Sequence, residues 1–268
     1  WLKLCECSAR FAAGRAAMHR LSCLLCCTNK GEADSHHVND TGAHSVVVDS
    51  DVKFALQPSE NDVVEVEGGA KYKGQWRGRN RHGRGILVSP DGLQQYEGDF
   101  HESRMHGHGV FKDENGTTYE GQWYQDQMHG FGTYVHNDGT AYEGEWSFDA
   151  KSGRGIETWP DGTRYEGEFV KGEKHGSGVY IQSDGSTYEG EFKHDVMDGS
   201  GHYKFLDGRV YVGSWVDGHM HGHGRINELD GTSYEGQFVN DLKDGDGIET
   251  FPNGGRVKGR WREGKQEY

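Results

Sequence analysis

Proline is nearly absent from this 268-residue chain, with 4 in all, at positions 58, 90, 160 and 252. That scarcity excludes collagen-like and proline-rich recognition segments. Aliphatic residues are thin as well: the hydrophobic fraction is 32% and mean hydropathy is -0.90. Such a composition excludes a thick globular core, and no run approaches the ~18 apolar residues of a membrane-spanning helix. Base is short relative to acid, 29 Lys and Arg against 43 Asp and Glu, for a net charge of -14. A nucleic-acid binder needs the opposite balance, and so does bulk attachment to anionic lipid. All five cysteines lie within the first 27 residues. Residues 63–268 therefore need no disulfides, and an intracellular, reducing compartment is the default expectation.

What the chain has in quantity is glycine, 43 residues, of which 40 lie from Gly68 onward. They mark a period. Tyr96, Tyr119, Tyr142, Tyr165, Tyr188, Tyr211 and Tyr234 stand 23 residues apart, Val257 takes the next place, and Tyr72 precedes Tyr96 by 24. A period that persists this long signals a repeat architecture in which each unit touches only its neighbours. The unit reads Tyr-x-Gly-x-(Trp/Phe)-x6-Gly-x-Gly-x6-Gly, with Asp or Asn before the last Gly. Its opening recurs eight times, from Tyr72/Gly74/Trp76 through Tyr142/Gly144/Trp146 to Tyr234/Gly236/Phe238.

In this motif the chain resembles the membrane occupation and recognition nexus (MORN) repeat, over about residues 63–268. The resemblance implies a non-catalytic scaffold or adaptor without a cofactor, working through protein partners in a larger assembly. Such proteins are ciliary, cytoskeletal or membrane-associated, and homodimerisation through the array end is one form the assembly takes. Two alternatives stay open. One is a peripheral membrane adaptor that binds phosphoinositide lipids, for which Lys71, Lys73, Arg77, Arg79, Arg81 and Arg84 are the contact candidates. The other is the regulatory array of a longer, phosphatidylinositol phosphate kinase-like enzyme.

The residues predict the fold on their own terms. Asp/Asn-Gly is a strong hairpin signal, because a two-residue type I′ turn needs positive φ at both places. It recurs from Asp91-Gly92 to Asn253-Gly254, with Gly68-Gly69 in the same place before Tyr72. The expectation is all-β: an elongated single-layer antiparallel sheet of about nine stacked hairpins. Strand Gly132–Asn137 would turn at Asp138-Gly139 and return as Ala141–Trp146, so that Val135 opposes Tyr142 and Thr133 opposes Gly144. The rings of an adjacent hairpin would lie over the Gly between the two aromatics. Phe111, Tyr134, Tyr180 and Tyr203 would then project from the opposite face among the glutamates, joined one pleat on by Trp159, Phe205 and Phe251. Those rings either cover the sheet or form a partner-binding strip.

Residues 1–30 read as a basic, cysteine-rich leader and 31–62 as a polar linker, in which Val46-Val47-Val48 suits one short strand. Cys23, Cys26 and Cys27 beside basic residues suit S-palmitoylation, and the arginine-rich, acid-poor composition also suits organelle targeting. Zinc on Cys5, Cys7, Cys23 and Cys26 lacks a common ribbon spacing, and an inert leader is the plain alternative. Gly83-Arg-Gly85 and its copies mimic phosphate loops, but eight copies in one phase with no following helix argue for sheet geometry. Histidine precedes that pair at His82, His106, His129, His175 and His221, whereas Ser152, Asp198 and Asp244 replace it elsewhere, as a catalytic group would not be replaced. His219-x-His221-x-His223 is the one local metal-like cluster. No unique nucleophile or acid–base pair stands out, so catalysis is not expected.

Overall fold

The computed structural model describes residues 58–267. By internal contacts the chain divides into two compact units, Trp1–Glu114 and Asn115–Tyr268. The leader, its cysteines and most of the linker lie outside the described residues.

Unit 1 is an antiparallel sheet of β1 (Val63–Glu65), β2 (Lys71–Arg77), β3 (Asn80–Val88), β4 (Gln95–His101) and β5 (Arg104–Lys112), each paired to the next. One 3₁₀ turn, Glu67–Gly69, joins the first two. Unit 2 repeats the same design. Its seven-residue strands are β6 (Thr118–Tyr124), β8 (Ala141–Ser147), β10 (Arg164–Val170), β12 (Thr187–Lys193), β14 (Val210–Val216), β16 (Ser233–Val239) and β18 (Arg256–Arg262). Nine-residue strands alternate with them: β7 (Gln127–Val135), β9 (Ala150–Thr158), β11 (Glu173–Ile181), β13 (Val196–Lys204), β15 (His219–Asn227) and β17 (Leu242–Thr250). A short β19 (Lys265–Glu267) pairs with β18. The expected stack of antiparallel hairpins is what forms.

The turns exchange roles relative to expectation. Asp138 keeps negative φ while Gly139 sits at 90°, so Asp-Gly does not make a type I′ turn. His136 N–H donates to Thr140 C=O at 2.8 Å and Gly139 N–H to His136 C=O at 2.9 Å. That is a three-residue loop, a type I turn followed by a left-handed glycine. Pro160 and Pro252 open this three-residue loop and Pro90 a loop one residue longer, each at the second position of its turn, where proline's fixed φ suits type I. The Asp side chain locks the loop: Asp138 Oδ1 accepts Thr140 N–H at 2.8 Å and Asp161 Oδ1 accepts Thr163 N–H at 2.9 Å. The backbone bond from Thr163, then the one from its hydroxyl, hold the Asp161 carboxyl below the usual range. The two-residue type I′ turns lie at the opposite strand ends, as at Phe148-Asp149, with φ of 48° and 66°.

One residue of loop length moves every register by one, and a one-residue slip exchanges the faces. Tyr142 therefore opposes Tyr134, and Val135 opposes Ala141. The row of Phe111, Tyr134, Tyr180 and Tyr203 shares the face of the motif tyrosines, contrary to the expected placement. The other face carries the glutamates opposite β-branched residues, such as Glu143 against Thr133 and Ile156.

All eight motif tyrosines are buried, at 0–1% exposure. The reason is glycine. Gly144 pairs with Gly155 and Gly155 with Gly167, part of a glycine row crossing the strands of unit 2. A Cβ on Gly155 would stand 2.5 Å from the Tyr142 hydroxyl and 2.6 Å from its ring carbons. Each ring thus lies on the glycine pair of its own two strands, not on a neighbouring hairpin as expected. It meets its own Trp or Phe edge-on and the next repeat's as well: Tyr142 has Trp146 at 5.0 Å and Phe169 at 5.1 Å. Such pairs contribute about 0.5–1.5 kcal/mol each beyond area burial. The hydroxyl donates to the backbone carbonyl three residues on, Tyr142 to Glu145 at 2.9 Å, and all eight do so. That bond is why phenylalanine does not substitute in the motif.

The Gly-x-Gly pair lies within a strand. Gly144 opposes Gly155 whereas Glu145 opposes Ser152, so Gly153 and Arg154 form a bulge, with Gly153 at φ 57°. A bulge leaves an amide without its ladder partner. Glu145 Oε1 accepts the Arg154 N–H at 3.0 Å, and Gln75, Asp99, Gln122, Glu191 and Gln237 do the same in their repeats. Repeats are also stitched at the type I′ turns, where Asp149 N–H donates to Met128 C=O and Asp149 Oδ1 accepts from Met128 N–H at 2.8 Å.

Candidate functional site

The tyrosine face closes on itself. In unit 2 a row of Met128, Lys151, Lys174, Met197, Met220 and Lys243 runs beside the Trp/Phe row, and in unit 1 Met105 pairs with Phe100. In the fourth repeat the lysine arches across the aromatic row: Lys151 Nζ lies 5.1 Å from the Tyr142 ring centre and 5.4 Å from Phe169, and it pairs with Glu157 beyond. Both are buried, at 3% and 5% exposure. Lys174 reaches the same carboxylate at 3.8 Å while its Nζ stands 5.1 Å from Trp159, and Lys243 pairs with Glu249 at 3.3 Å over Tyr234. Burial holds the Lys151 ammonium below the usual lysine value, against the pull of Glu157. A buried pair of this kind is weak support for stability but strict about partners. The sequence held the signal, Lys and Glu six residues apart at 151/157 and 243/249, but only the register brings them across one ring.

The residues expected to bind a partner divide by depth. Phe111 and Tyr134 are buried at 2% and 4%, whereas Trp159, Tyr180, Tyr203 and Phe205 are half-buried and Phe251 is exposed. The half-buried ones are already engaged: Trp159 against Tyr180 at 6.2 Å, Tyr203 against Phe205 at 4.7 Å, and Arg209 over Phe205 at 4.7 Å.

The glutamate face is open. Glu120, Glu143, Glu166, Glu189 and Glu235 stand exposed on successive even-numbered strands, interrupted at Val212. Four residues further along the same strands, or at the facing strand's start, large apolar side chains stay in solvent. These are Tyr124, Val170, Val196, Val216, Val239 and Leu242, with Phe148 at the turn 54% exposed. Tyr124, His129 and Phe148 touch, with ring centres 5.8 and 4.9 Å apart on either side of the histidine. Phe148 holds a left-handed φ, which is rare for a bulky residue.

Among the cationic candidates of unit 1, Lys71, Lys73, Arg77, Arg79 and Arg84 are exposed. Arg81 is not: it is 6% exposed, lies 5.9 and 5.7 Å from the Tyr72 and Phe100 ring centres, and donates to Ser103 C=O at 2.5 Å. Arg84 stands 3.6 Å from Asp99. His219 binds Asp241 at 2.7 Å, and among the described residues no three His, Cys, Asp or Glu gather as metal ligands. The histidines before Gly-x-Gly lie in strands against the next repeat's turn, as His82 against His101 at 5.1 Å. Cys23, Cys26 and Cys27 fall outside the described residues. No described helix is long and apolar enough to cross a membrane.

Among solved structures, the chain is similar to the TCP10 domain of Danio rerio CPAP, at 15% identity and a TM-score of 0.43, covering 77% of this chain and 96% of that one. It is also similar to the Drosophila melanogaster SAS-4 TCP domain, solved in complex with a proline-rich motif of Ana2, at 12% identity and a TM-score of 0.28, covering 84% and 99%. Likenesses of that degree say nothing about what this chain binds. No curated protein matches it significantly. The MORN repeat model matches residues 72–94, 96–118, 119–141, 142–164, 165–187, 188–208, 211–226 and 234–256. With a match over more than half of its length, in the register of the tyrosine ladder, the chain belongs to the MORN-repeat family.

Proposed function

We propose that this chain is a non-catalytic scaffold that holds protein partners within a larger assembly. One observation carries the reading. The tyrosine face of unit 2 supplies the aromatic ladder and the ring-covered core, while the glutamate face leaves large apolar side chains exposed in repeat after repeat. Exposed apolar surface rimmed by charge marks an interaction site. The repetition of every polar position also argues against an active site, since chemistry needs a unique constellation and a ladder supplies copies. The test is affinity purification of the full-length protein from its native cells with mass spectrometry, beside a truncation beginning at Asp62. Recovery of the same stoichiometric assembly by both supports the array as scaffold. Recovery of nothing stoichiometric by either form overturns it.

A second reading rests on unit 1, where five exposed cations oppose the acidic balance of the rest. Lipid attachment through Lys71, Lys73, Arg77, Arg79 and Arg84 predicts sedimentation with phosphatidylinositol phosphate vesicles, lost in the K71E/K73E variant and reduced by salt. A full-length protein that stays in the supernatant removes this reading.

A further inference from the structure

The geometry of unit 2 points to the partner's chemistry: we infer that its glutamate face docks a basic amphipathic helix of another protein. This rests on the scaffold reading above and gives it a ligand class.

Two parallel stripes carry the inference. The first is acidic: Glu120, Glu143, Glu166 and Glu189, all exposed, with Glu145 and Glu191 exposed two residues on. The second is apolar: Tyr124, Phe148, Val170, Val196, Val216, Val239 and Leu242, each at least 39% exposed. Few cations interrupt the two stripes: Arg164 already pairs with Glu166 at 2.5 Å, Arg154 stands exposed among the acids, Arg225 stands exposed between Val212 and Glu235, and Lys193 takes the apolar stripe's place on its strand. A partner segment that satisfies both stripes must offer apolar and basic side chains side by side. Anionic lipid is repelled by the first stripe, and an acidic peptide is too.

Dimensions select the helix. Glu143 and the row of Ser147 and Val170 are separated by about four residues of strand, roughly 13 Å. A helix with its side chains is ~10–12 Å across and covers that width, whereas an extended chain laid across the strands reaches one stripe only. Successive repeats stand roughly 9.6 Å apart, two strand spacings. Seven helical residues rise ~10.5 Å. A helix crossing the strands thus presents one apolar residue to each repeat at close to heptad spacing, with Lys or Arg beside it toward the glutamates.

The test is selection from a random peptide library of about 20 residues, a helix ~30 Å long, displayed on phage and panned against the full-length chain. Enriched peptides are then synthesised and titrated by fluorescence anisotropy against the wild type and two variants. One variant, V170D/V216D/V239D, breaks the apolar stripe, and the other, E143K/E166K/E189K, reverses the acidic one. Every substituted residue is exposed, and Glu166 pairs with Arg164; unchanged circular dichroism and melting temperature confirm that both variants fold. Expected are peptides rich in Lys and Arg with apolar residues near heptad spacing, helical when bound, whose affinity falls at least about tenfold in each variant and weakens with salt. Enrichment of acidic or purely apolar peptides overturns the inference, as does binding indifferent to both variants or no enrichment at all. The scaffold reading is judged separately by co-purification: a stoichiometric assembly unaffected by either variant would retain the scaffold and discard this face.

Discussion

Unit 2 offers two faces built from the same strands, and they obey different rules. On the tyrosine face every position is dictated by contact: glycine because a ring lies on it, tyrosine because its hydroxyl reaches a carbonyl, Trp or Phe because two tyrosines meet its edge. On the glutamate face the positions at Glu143, Val212 and Lys258 differ freely in charge and shape while the backbone stays the same. The difference teaches that the repeat's stability is one-sided. The glutamate face can vary at these positions because the fold asks little of it beyond the side chain two residues on that accepts the bulge amide, such as Glu145.

Alkaline titration should break that asymmetry most completely. Burial raises the tyrosine hydroxyls, Tyr72, Tyr211 and Tyr234 to about 12, with Tyr119, Tyr142, Tyr165 and Tyr188 also raised. An unfolded tyrosine titrates near 10. Their stabilisation is therefore complete below pH 10 and is lost as pH rises through the folded values. Lys151 acts the other way, since its depressed value adds stability as pH rises toward 10.5, but it is one group against seven. Circular dichroism and absorbance at 295 nm should show unfolding and tyrosine ionisation as one transition above pH 10; ionisation at pH 10 with the sheet intact would contradict the buried ladder.

Next in size, Tyr142→Ala removes a ring shared by two repeats and should cost about 3–5 kcal/mol in urea unfolding, whereas Glu143→Ala beside it on the other face should stay within about 0.5 kcal/mol. Equal costs would erase the distinction between the faces. Gly155→Ala places a methyl against the same ring and should cost about 1–3 kcal/mol. Tyr142→Phe keeps the ring and deletes only the bond to Glu145 C=O, for about 1 kcal/mol; a neutral result would show that the hydroxyl is not why the motif keeps tyrosine. The smallest change runs in the opposite direction. Phe148→Asn should raise stability by up to about 1 kcal/mol, because asparagine tolerates the left-handed φ that phenylalanine is forced to hold there.

The candidate face was only partly legible beforehand. The glutamate row could be read from its spacing, but Tyr134 and Phe111 were expected among the glutamates, and the apolar stripe was not recognised because its members stand at strand ends and turns whose positions depend on loop length. The six-residue spacing of Lys151 and Glu157 stands in the sequence, but their pairing across one ring depends on the same register. Proline at 90, 160 and 252 was the available signal, since it fits the second position of a type I turn.

The sequence by itself determined the period, the repeat family and the antiparallel hairpins, because glycine, aromatic residues and Asp-Gly recur in fixed phase and each has a narrow conformational use. Tertiary structure alone decided which way each strand faces. A left-handed glycine serves a two-residue turn and a three-residue loop equally well, and the two differ by one residue of register. What separates them is contact between strands: only one register sets each tyrosine ring on a glycine pair with its hydroxyl at a carbonyl and its edges against two neighbouring aromatics.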